Sequence, residues 1–564
     1  MTAYSFLHKI FSWFVQGVFW CTIIGFSLLS ADVSEQDSVT PIPETETKSA
    51  AEPYFPWEMG TVAVRQNSID DIVLPLLASV TKRPLYLCSD EVFLRRAFLD
   101  IGGTIPNPVQ IRRFLKEKNP RKREILIDML LSSEAHIDYL SMKWCDLLRI
   151  KSEFPVRLWP NAVQAYYRWI RSAVKTNMSY DVFVRAQICA SGSNFRDPPV
   201  NFLRAVENKE PVQIAAAVML TFLGVRIEKW PAEKKNGAAA FFSQTGYKGT
   251  SEWKEEIVFF NRFAKPFMGQ DGTPVRPMYP DGKNVFIPAG ADPRVVFSEW
   301  LINEENPWFA RNLVNRVWSW IFGRGIIHPA DDIRPDNPPA NPVLLSLLEK
   351  NFIQSNWDIR ELYRFIMNSA AYQLTSVYDP SEVAASPSAG FARYTIRRLE
   401  AEVIIDIINS ICGSSEQYMS MIPEPFTFIP PNQRSITLAD GSITSAFLEL
   451  FGRPPRGSGY ENERNNESTA AQRLHLLNSS HIRDKFERGW KVRGYLRERD
   501  RKKPQVSGSD AFEELFLLTV GRFPSGKEQR TIAQAMDSEH YTPAAAAGDV
   551  LWALVNSAEF LYRH

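Results

Sequence analysis

The sequence predicts a mainly α-helical protein with two helical domains joined by a small β-containing segment. Asn-Pro or Asp-Pro pairs recur before apolar runs of helical spacing, as at Asn107-Pro108, Asp292-Pro293 and Asn341-Pro342. An Asn or Asp side chain caps a free backbone N–H, and proline suits the first helical position because its missing N–H is not needed there. By contrast, residues 246–290 combine short β-prone pieces with Gly and Pro punctuation.

The N-terminal segment predicts export. Residues 1–31 have a polar start and then an apolar run from Ile10 to Ala31. Such a run is typical of a signal peptide, and at about 20 residues it is also long enough to remain as a membrane anchor. Residues 32–62 are acidic and rich in Pro, Thr and Ser, which is typical of a flexible linker. We therefore expect a periplasmic or cell-surface protein that meets the membrane only through residues 1–31.

The remaining chain divides into three parts. Residues 63–245 form the first predicted helical domain, residues 246–290 the β-containing connector, and residues 291–564 the second helical domain. The connector holds two β-prone pieces, Glu256–Phe260 and Asn284–Ile287. Further helix starts are predicted at the polar residues Asn119, Asn306, Asp358 and Ser525.

Charge and cysteine content exclude some classes of function. Lys and Arg total 65 and Asp and Glu total 64, so no basic surface for nucleic acid is predicted. The five cysteines form no Cys-x-x-Cys pair, which argues against a zinc ribbon or covalent haem attachment. They are expected either as buried free thiols or in one or two disulfides. We predict no metal, no haem and no other cofactor, apart from calcium at the loop described below.

Several ordered motifs resemble a two-domain family. In the first half, Arg95–Pro106 and Met142–Arg149 are similar to the planctomycete cytochrome-associated domain, the unknown-function family 1549. The second half is similar to the planctomycete-specific domain, the unknown-function family 1553. The motifs that carry this second resemblance are Asn306–Trp318, Phe322–Gly325, Asp331–Pro339, Arg397–Glu402, Phe451–Pro454 and Leu474–Asn478. The resemblance implies the domain order but no settled activity.

One departure from the family bears on cofactors. After a Phe-Leu-Gly-Val-Arg segment, many relatives carry a Cys-x-x-Cys-His stretch. Here Phe222–Arg226 continues directly into Ile227-Glu228-Lys229-Trp230-Pro231, without thiols or imidazoles. Since haem iron and zinc need such donors, the resemblance implies neither group in this chain.

A first candidate polar site lies in a proline-rich loop. Its residues are Asp331, Asp332, Arg334, Asp336 and Asn337. The oxygen-bearing side chains can bind calcium, or a carboxylate can act as an acid or base with the Arg fixing its charge. Alternatively, the residues form a rigid turn whose side chains cap the local backbone.

A second candidate lies in a Gly- and Pro-rich loop. Its residues are Arg453, Arg456, Glu461, Glu463 and Arg464. The guanidinium groups can bind an acidic sugar or a sulfate ester, or the charges can form an ion-pair network. We expect both loops to converge on one surface of the second domain, with Asn315 and Arg316 as supporting residues. Whether they form a ligand site or an internal lock stays open at this stage.

Other residues point less clearly to a function. His475 and His481 are six positions apart, which does not place them on one helix face, so we expect core or surface imidazoles. Trp159, Tyr166, Tyr167 and Trp169 can stack sugars or form a helix-packing core. The leading hypothesis is a binding or scaffold protein with a carbohydrate or protein partner. The alternatives are a polysaccharide hydrolase or lyase that uses loop carboxylates, and a redox-associated protein.

Overall fold

The structure, a computed structural model, is mainly α-helical. It describes residues 59–81, 84–269, 271–377, 387–489, 491, 509–536 and 543–564. The predicted N-terminal apolar segment and most of the linker lie outside these residues. In the described part of the chain, no helix is both long and apolar enough to span a membrane.

Helices form most of the first half. They are α1 (Asp70–Val80), α2 (Asp90–Gly102), α3 (Pro108–Lys116), α4 (Lys122–Leu131), α5 (Glu134–Leu147), α6 (Pro160–Lys175), α7 (Tyr180–Ile188), α8 (Asn201–Arg204), α9 (Pro211–Val218) and α10 (Ala232–Ala240). A single π-helical turn, Met219–Leu223, follows α9 and ends at Gly224, whose φ of 66° suits glycine.

The second half continues the helical pattern. Its helices are α11 (Pro293–Leu301), α12 (Phe309–Phe322), α13 (Pro342–Gln354), α14 (Ile359–Met367), α15 (Ala370–Gln373), α16 (Ala401–Cys412), α17 (Ala446–Leu450), α18 (Ala470–Asn478), α19 (Ser480–Arg488), α20 (Ser509–Thr519), α21 (Gly526–Met536), α22 (Pro543–Val555) and α23 (Ala558–Leu561). The predicted fold class is confirmed.

Most of the predicted helix caps are present, but two are displaced. Asn107, Asp292, Asn341 and Asp358 each accept a hydrogen bond from the first turn of the helix that follows. Helix α12 begins only at Phe309 because Asn306 forms a turn that accepts from the Trp308 and Phe309 amides. In the same way, Asn119 accepts a hydrogen bond from the Arg121 amide, and α4 begins at Lys122, one residue after Arg121. An Asx-Pro pair therefore predicts the presence of a helix more reliably than it predicts the residue at which the helix begins.

The β structure is small, as predicted. Strands β3 (Gly192–Ser193), β4 (Thr245–Gly249) and β5 (Glu256–Phe260) form an antiparallel sheet in the order β3-β5-β4. The second predicted piece, Asn284–Ile287, is not a strand, since only Asn284 pairs, in an isolated bridge to Met278. Two-stranded ribbons join β1 (Met59–Val62) to β2 (Tyr86–Cys88), and β6 (Arg397–Arg398) to β7 (Tyr562–Arg563).

The apolar core crosses the predicted domain limits. Tyr180 of α7 stacks on Phe309 of α12, with ring centroids 4.7 Å apart. The second core cluster lies mainly around α16 and the helices after it, yet it includes Leu99 from α2 and Tyr139 from α5. Helices α2 and α5 therefore lie between two core clusters, and their polar residues Asp100, His136 and Lys143 are buried. The exact limits of the two domains stay a prediction.

The described cysteines are free thiols. Cys88, Cys145 and Cys412 are buried and Cys189 is half-buried, with no disulfide among them. Burial raises the pKa values of Cys145 and Cys412 to about 12. These thiols act as small core residues and are poor nucleophiles at neutral pH.

The buried His136 makes stability depend on pH. Its Nδ1 lies 3.0 Å from the Ile101 carbonyl oxygen, and burial lowers its pKa to about 4 from the ordinary 6.5. The unfolded chain therefore binds the proton more tightly than the folded protein does. The stability that the folded protein gains while His136 is neutral is complete above about pH 6.5 and is lost as the pH falls towards 4. At about 1.4 kcal/mol per pH unit, the loss is about 3 kcal/mol.

We expect His136→Gln to remove this pH dependence. Between pH 7 and pH 4, the unfolding free energy of the natural protein should fall by about 3 kcal/mol more than that of the variant. Urea unfolding at several pH values measures the difference between the two proteins. As a control, the difference in unfolding free energy between the two proteins should stay constant from pH 7 to pH 8. If that difference also stayed constant down to pH 4, His136 would not be buried as a neutral group.

Candidate functional site

The two predicted polar loops contact each other through Asp331 and Glu461. The Asp331 side chain is fully buried and accepts from the Arg226 guanidinium and, at 3.1 Å, from the Glu461 amide. In return, the Glu461 carboxylate accepts from the Ala330 amide at 3.2 Å and from Ser319 Oγ at 3.1 Å. The carboxylates of the two loops thus hold each other's backbone in place.

The tip of the first loop is a separate, exposed turn. Arg334 pairs with Asp332 at 3.2 Å and with Asp336 at 3.1 Å. Asn337 donates to the Asp332 carbonyl oxygen at 2.8 Å. The Asp336 side chain is 72% exposed and, in the part of the chain that the structure describes, forms no ion pair with the second loop. Of the five residues predicted in this loop, Asp331 alone contributes to the contact between the loops.

The guanidinium groups of the second loop are buried against two carboxylates. Arg464 donates to Glu402 and to Asp146, each at 2.8 Å. Arg456 lies 2.8 Å from the other oxygen of Asp146, and Arg453 lies 3.4 Å from Glu402. Asp146 belongs to α5 of the first half, so this network joins the two halves of the chain.

Charge compensation sets the ionisation of this network. Burial disfavours the ionised forms of Asp146 and Glu402, yet Arg464 and its neighbours hold both pKa values below their ordinary range. Burial lowers the pKa of Arg453 to about 10, and the nearby Arg456 acts in the same direction. Both carboxylates are therefore ionised and paired at neutral pH.

Glu463 stabilises its own loop. Its carboxylate accepts from the amides of Gly457 at 2.8 Å, Ser458 at 3.1 Å and Gly459 at 3.3 Å. Three backbone donors of one turn are thereby satisfied by one side chain. This geometry fixes the loop conformation and uses the oxygen atoms that a ligand would need.

The two predicted supporting residues serve other segments. Asn315 exchanges hydrogen bonds with the Ile327 backbone, at 2.9 Å and 2.8 Å. Arg316 donates to Asn312 and to the Leu220 carbonyl oxygen of the π-helical turn, both at 2.9 Å. Both residues lie on α12 as expected, but these hydrogen bonds do not run to either polar loop.

A second buried network was not predicted. Asp100 of α2 accepts from Arg563 at 2.8 Å, from Tyr394 at 2.9 Å and from Tyr372 at 3.0 Å. Arg563 also pairs with Glu400, which lies 3.4 Å from Lys143 of α5. Burial lowers the pKa of Lys143 to about 8. The only signal in the sequence was that Asp100, Lys143 and Glu400 fall inside the family-like motifs.

The structure also brings together two histidines that spacing had separated. His475 Nε2 lies 3.4 Å from His481 Nδ1, and His481 Nε2 lies 3.0 Å from Glu416. The spacing argument failed because α18 ends at Asn478 and α19 starts anew, so the two rings meet across a helix junction. Burial, and then His481, lower the pKa of His475. No group of three potential metal ligands is found among the described residues.

Fold and polar contacts together define a mainly helical protein in which two consecutive halves are joined by buried ion pairs. Two family models match the chain. Residues 68–230 match PSCyt2, a protein of unknown function (DUF1549), and residues 293–536 match PSD1, a protein of unknown function (DUF1553). The chain therefore belongs to the two-domain proteins in which a DUF1549 domain precedes a DUF1553 domain. No curated protein and no solved structure gives a significant match.

Proposed function

We propose that the protein is an exported binding or scaffold protein in which the polar loops act as an internal lock. One observation carries this proposal: the buried charges predicted as a site pair with their own chain. Asp331 pairs with Arg226, and Arg464 bridges Asp146 and Glu402. Charges held in this way stabilise a relative arrangement of segments and are not free to bind a ligand.

Export is part of the proposal and rests on the sequence. The apolar run from Ile10 to Ala31 would carry the chain out of the cytoplasm, as a cleaved signal or as a retained anchor. Fusing residues 1–58 to a reporter enzyme that is active only outside the cytoplasm tests this step. An inactive reporter that is found intact in the cytoplasm would contradict export.

Two aspartates of the first loop separate a lock from a ligand site. Asp331→Asn should lower the free energy of unfolding by about 2–3 kcal/mol, because the buried carboxylate loses a charged hydrogen bond from Arg226. Asp336→Asn is the matched control, and its exposed pair with Arg334 should contribute less than about 1 kcal/mol. Urea unfolding of the full chain gives both values. Equal stability of the two variants would contradict the lock.

The proposal that the protein binds without catalysing a reaction is tested on polysaccharides. The purified chain is incubated with a panel of neutral and acidic polysaccharides, while retention of the protein and release of new reducing ends or unsaturated products are measured. We expect the polysaccharides to retain the protein without release of new reducing ends or unsaturated products. Product release that is lost in Glu461→Gln would instead assign a hydrolase or lyase.

A further inference from the structure

An aromatic groove lies on the surface, and Pro155 of its segment 152–159 lies next to Gly457 of the second polar loop. Its lining residues are Ser152, Glu153, Phe154, Arg157, Trp159, Arg204, Lys254 and Ile422. Trp253 and Phe426 pack against the lining residue Trp159. Its volume is about 350 Å³, within the range of small-ligand sites. Trp253 is 54% exposed and Phe154 is 60% exposed. Large aromatic side chains that stay exposed in a concave surface are typical of a binding site.

The aromatic side chains of the groove support one another. Trp253 lies edge-on to Trp159 with ring centroids 4.7 Å apart, and its centroid is 4.6 Å from that of Phe426. The exposed indole of Trp253 is therefore held in place by two neighbours. A ring fixed in this way can stack on a ligand with little loss of side-chain entropy.

The backbone of the groove is strained at three residues. Arg157 and Lys254 have φ angles of 58° and 62°. Trp159 has φ 76° and ψ 146°, a region that is almost restricted to glycine. Segment 152–159 is nevertheless fixed, since the Ser152 amide donates to Asp440 at 3.0 Å and the Glu153 amide donates to Ser442 at 3.1 Å. Strained positions that the surroundings hold in place cluster at ligand-binding sites.

The same segment contains buried polar atoms that lack partners. Ser152 Oγ, Glu153 Oε1 and Trp159 Nε1 make no hydrogen bond within the described part of the chain, although all three residues line the groove. Ser152 is only 3% exposed. Such atoms are uncommon in folded proteins and need an explanation. The three atoms are enclosed by the protein, so they do not offer hydrogen bonds to a ligand in the groove.

The charge of the groove is positive. Arg157 and Lys254 are exposed, and neither forms an ion pair within the described residues. Arg157 lies over the Phe154 ring at 5.2 Å, and Lys254 lies over the Trp159 ring at 5.1 Å. The third cation, Arg204, is already paired with Glu256. Glu153 is the carboxylate that lines the groove, so two unpaired cations face one acid.

We propose that this groove binds an acidic saccharide, with a uronic acid as the recognised unit. The C–H face of a sugar ring fits the exposed Trp253 ring, whose face carries negative charge. The uronate carboxylate pairs with the exposed Arg157 and Lys254. A neutral sugar would leave both cations without an anion. An acidic peptide carries the charge but lacks a hydroxylated ring for the indole. The proposal rests on the proposed function and names its ligand class.

The test uses the full chain and isothermal titration calorimetry. The probes are trigalacturonate, neutral maltotriose and a short polyglutamate peptide. Trigalacturonate should bind, and Trp253→Ala, Phe154→Ala and Arg157→Gln should each weaken its binding at least tenfold. Two exposed residues outside the groove lining give the matched controls Phe286→Ala and Arg334→Gln, which should bind like the natural protein. The thermal midpoint of each variant shows that it is folded.

Each other outcome overturns a defined part of the proposal. Equal affinity for maltotriose and trigalacturonate would overturn recognition of the acid group. Binding of polyglutamate alone would assign the groove to an acidic peptide, and no binding of any probe would remove the groove as a site. In these cases the proposed function still stands. It fails separately if trigalacturonate is cleaved during the titration, which chromatography of the recovered sugar detects.

Discussion

Asp100→Asn is expected to lower the free energy of unfolding by about 3–5 kcal/mol. The Asp100 carboxylate is fully buried and accepts from Arg563, Tyr394 and Tyr372. Asparagine has nearly the same shape, so no cavity forms. It removes one of the two carboxylates that compensate Arg563, however, and leaves Glu400 as the other. Its NH₂ group also cannot accept from a tyrosine hydroxyl. Removing one carboxylate from a buried ion-pair network is strongly destabilising.

The measurement is urea unfolding of the full chain, followed by tryptophan fluorescence. Asp336→Asn is again the matched control, because it makes the same substitution at a side chain that is 72% exposed. The control should change the unfolding free energy by less than about 1 kcal/mol. If Asp100→Asn were as stable as the control, the buried network around Arg563 would not be a major support of the fold.

Local patterns in the sequence were sufficient to predict the helical class. Caps such as Asn107 and Asp292 act over three residues or fewer, so they can be read directly from the chain. The β-prone piece Glu256–Phe260 forms a strand because β4 supplies a neighbouring partner. The similar piece Asn284–Ile287 does not, since strand formation depends on a partner that the local sequence does not specify.

The candidate site could be predicted only as a set of residues. Arg464 and Asp146 are 318 positions apart, and no local pattern announces their pairing. Residue type therefore indicated charged groups in a loop but could not show that they are buried and mutually satisfied. The aromatic groove could be predicted only in part, for a related reason. The sequence places Trp159 on one predicted helix with Tyr166 and Tyr167, as residues that can stack sugars or form a core. In the structure Trp159 caps α6 with a positive φ and contacts Trp253, while the two tyrosines enter the core.

The network around Arg464 gives the second large effect. Glu402→Gln is expected to lower the free energy of unfolding by about 3–5 kcal/mol. The Glu402 side chain is fully buried and compensates Arg464 and Arg453, so the amide would leave three buried guanidinium groups with Asp146 as their remaining carboxylate. Glu467→Gln is the matched control, because Glu467 is exposed in the loop that carries Arg464 and forms no ion pair among the described residues.

The pH dependence of this effect has a definite sign. Burial opposes the ionised form of Glu402, but Arg464 outweighs it and holds the pKa below the ordinary 4.5. The stabilisation is therefore complete above about pH 4.5 and is lost as the pH falls through the lowered folded-state pKa. Glutamine has no such transition, so the stability gap between the natural protein and Glu402→Gln should narrow in acid. Urea unfolding at pH 7 and at pH 4 or below measures the gap.

The same variant decides between an internal lock and a ligand site at Arg464. If the network is a lock, Glu402→Gln loses stability but binds trigalacturonate normally at a temperature where it remains folded, because the groove uses other residues. If Arg464 instead receives an acidic ligand, removing its competing carboxylate should leave stability near that of Glu467→Gln and change the affinity for the anion. Near-normal stability of Glu402→Gln together with altered binding of the anion would therefore contradict the lock and indicate that the second loop is a binding site.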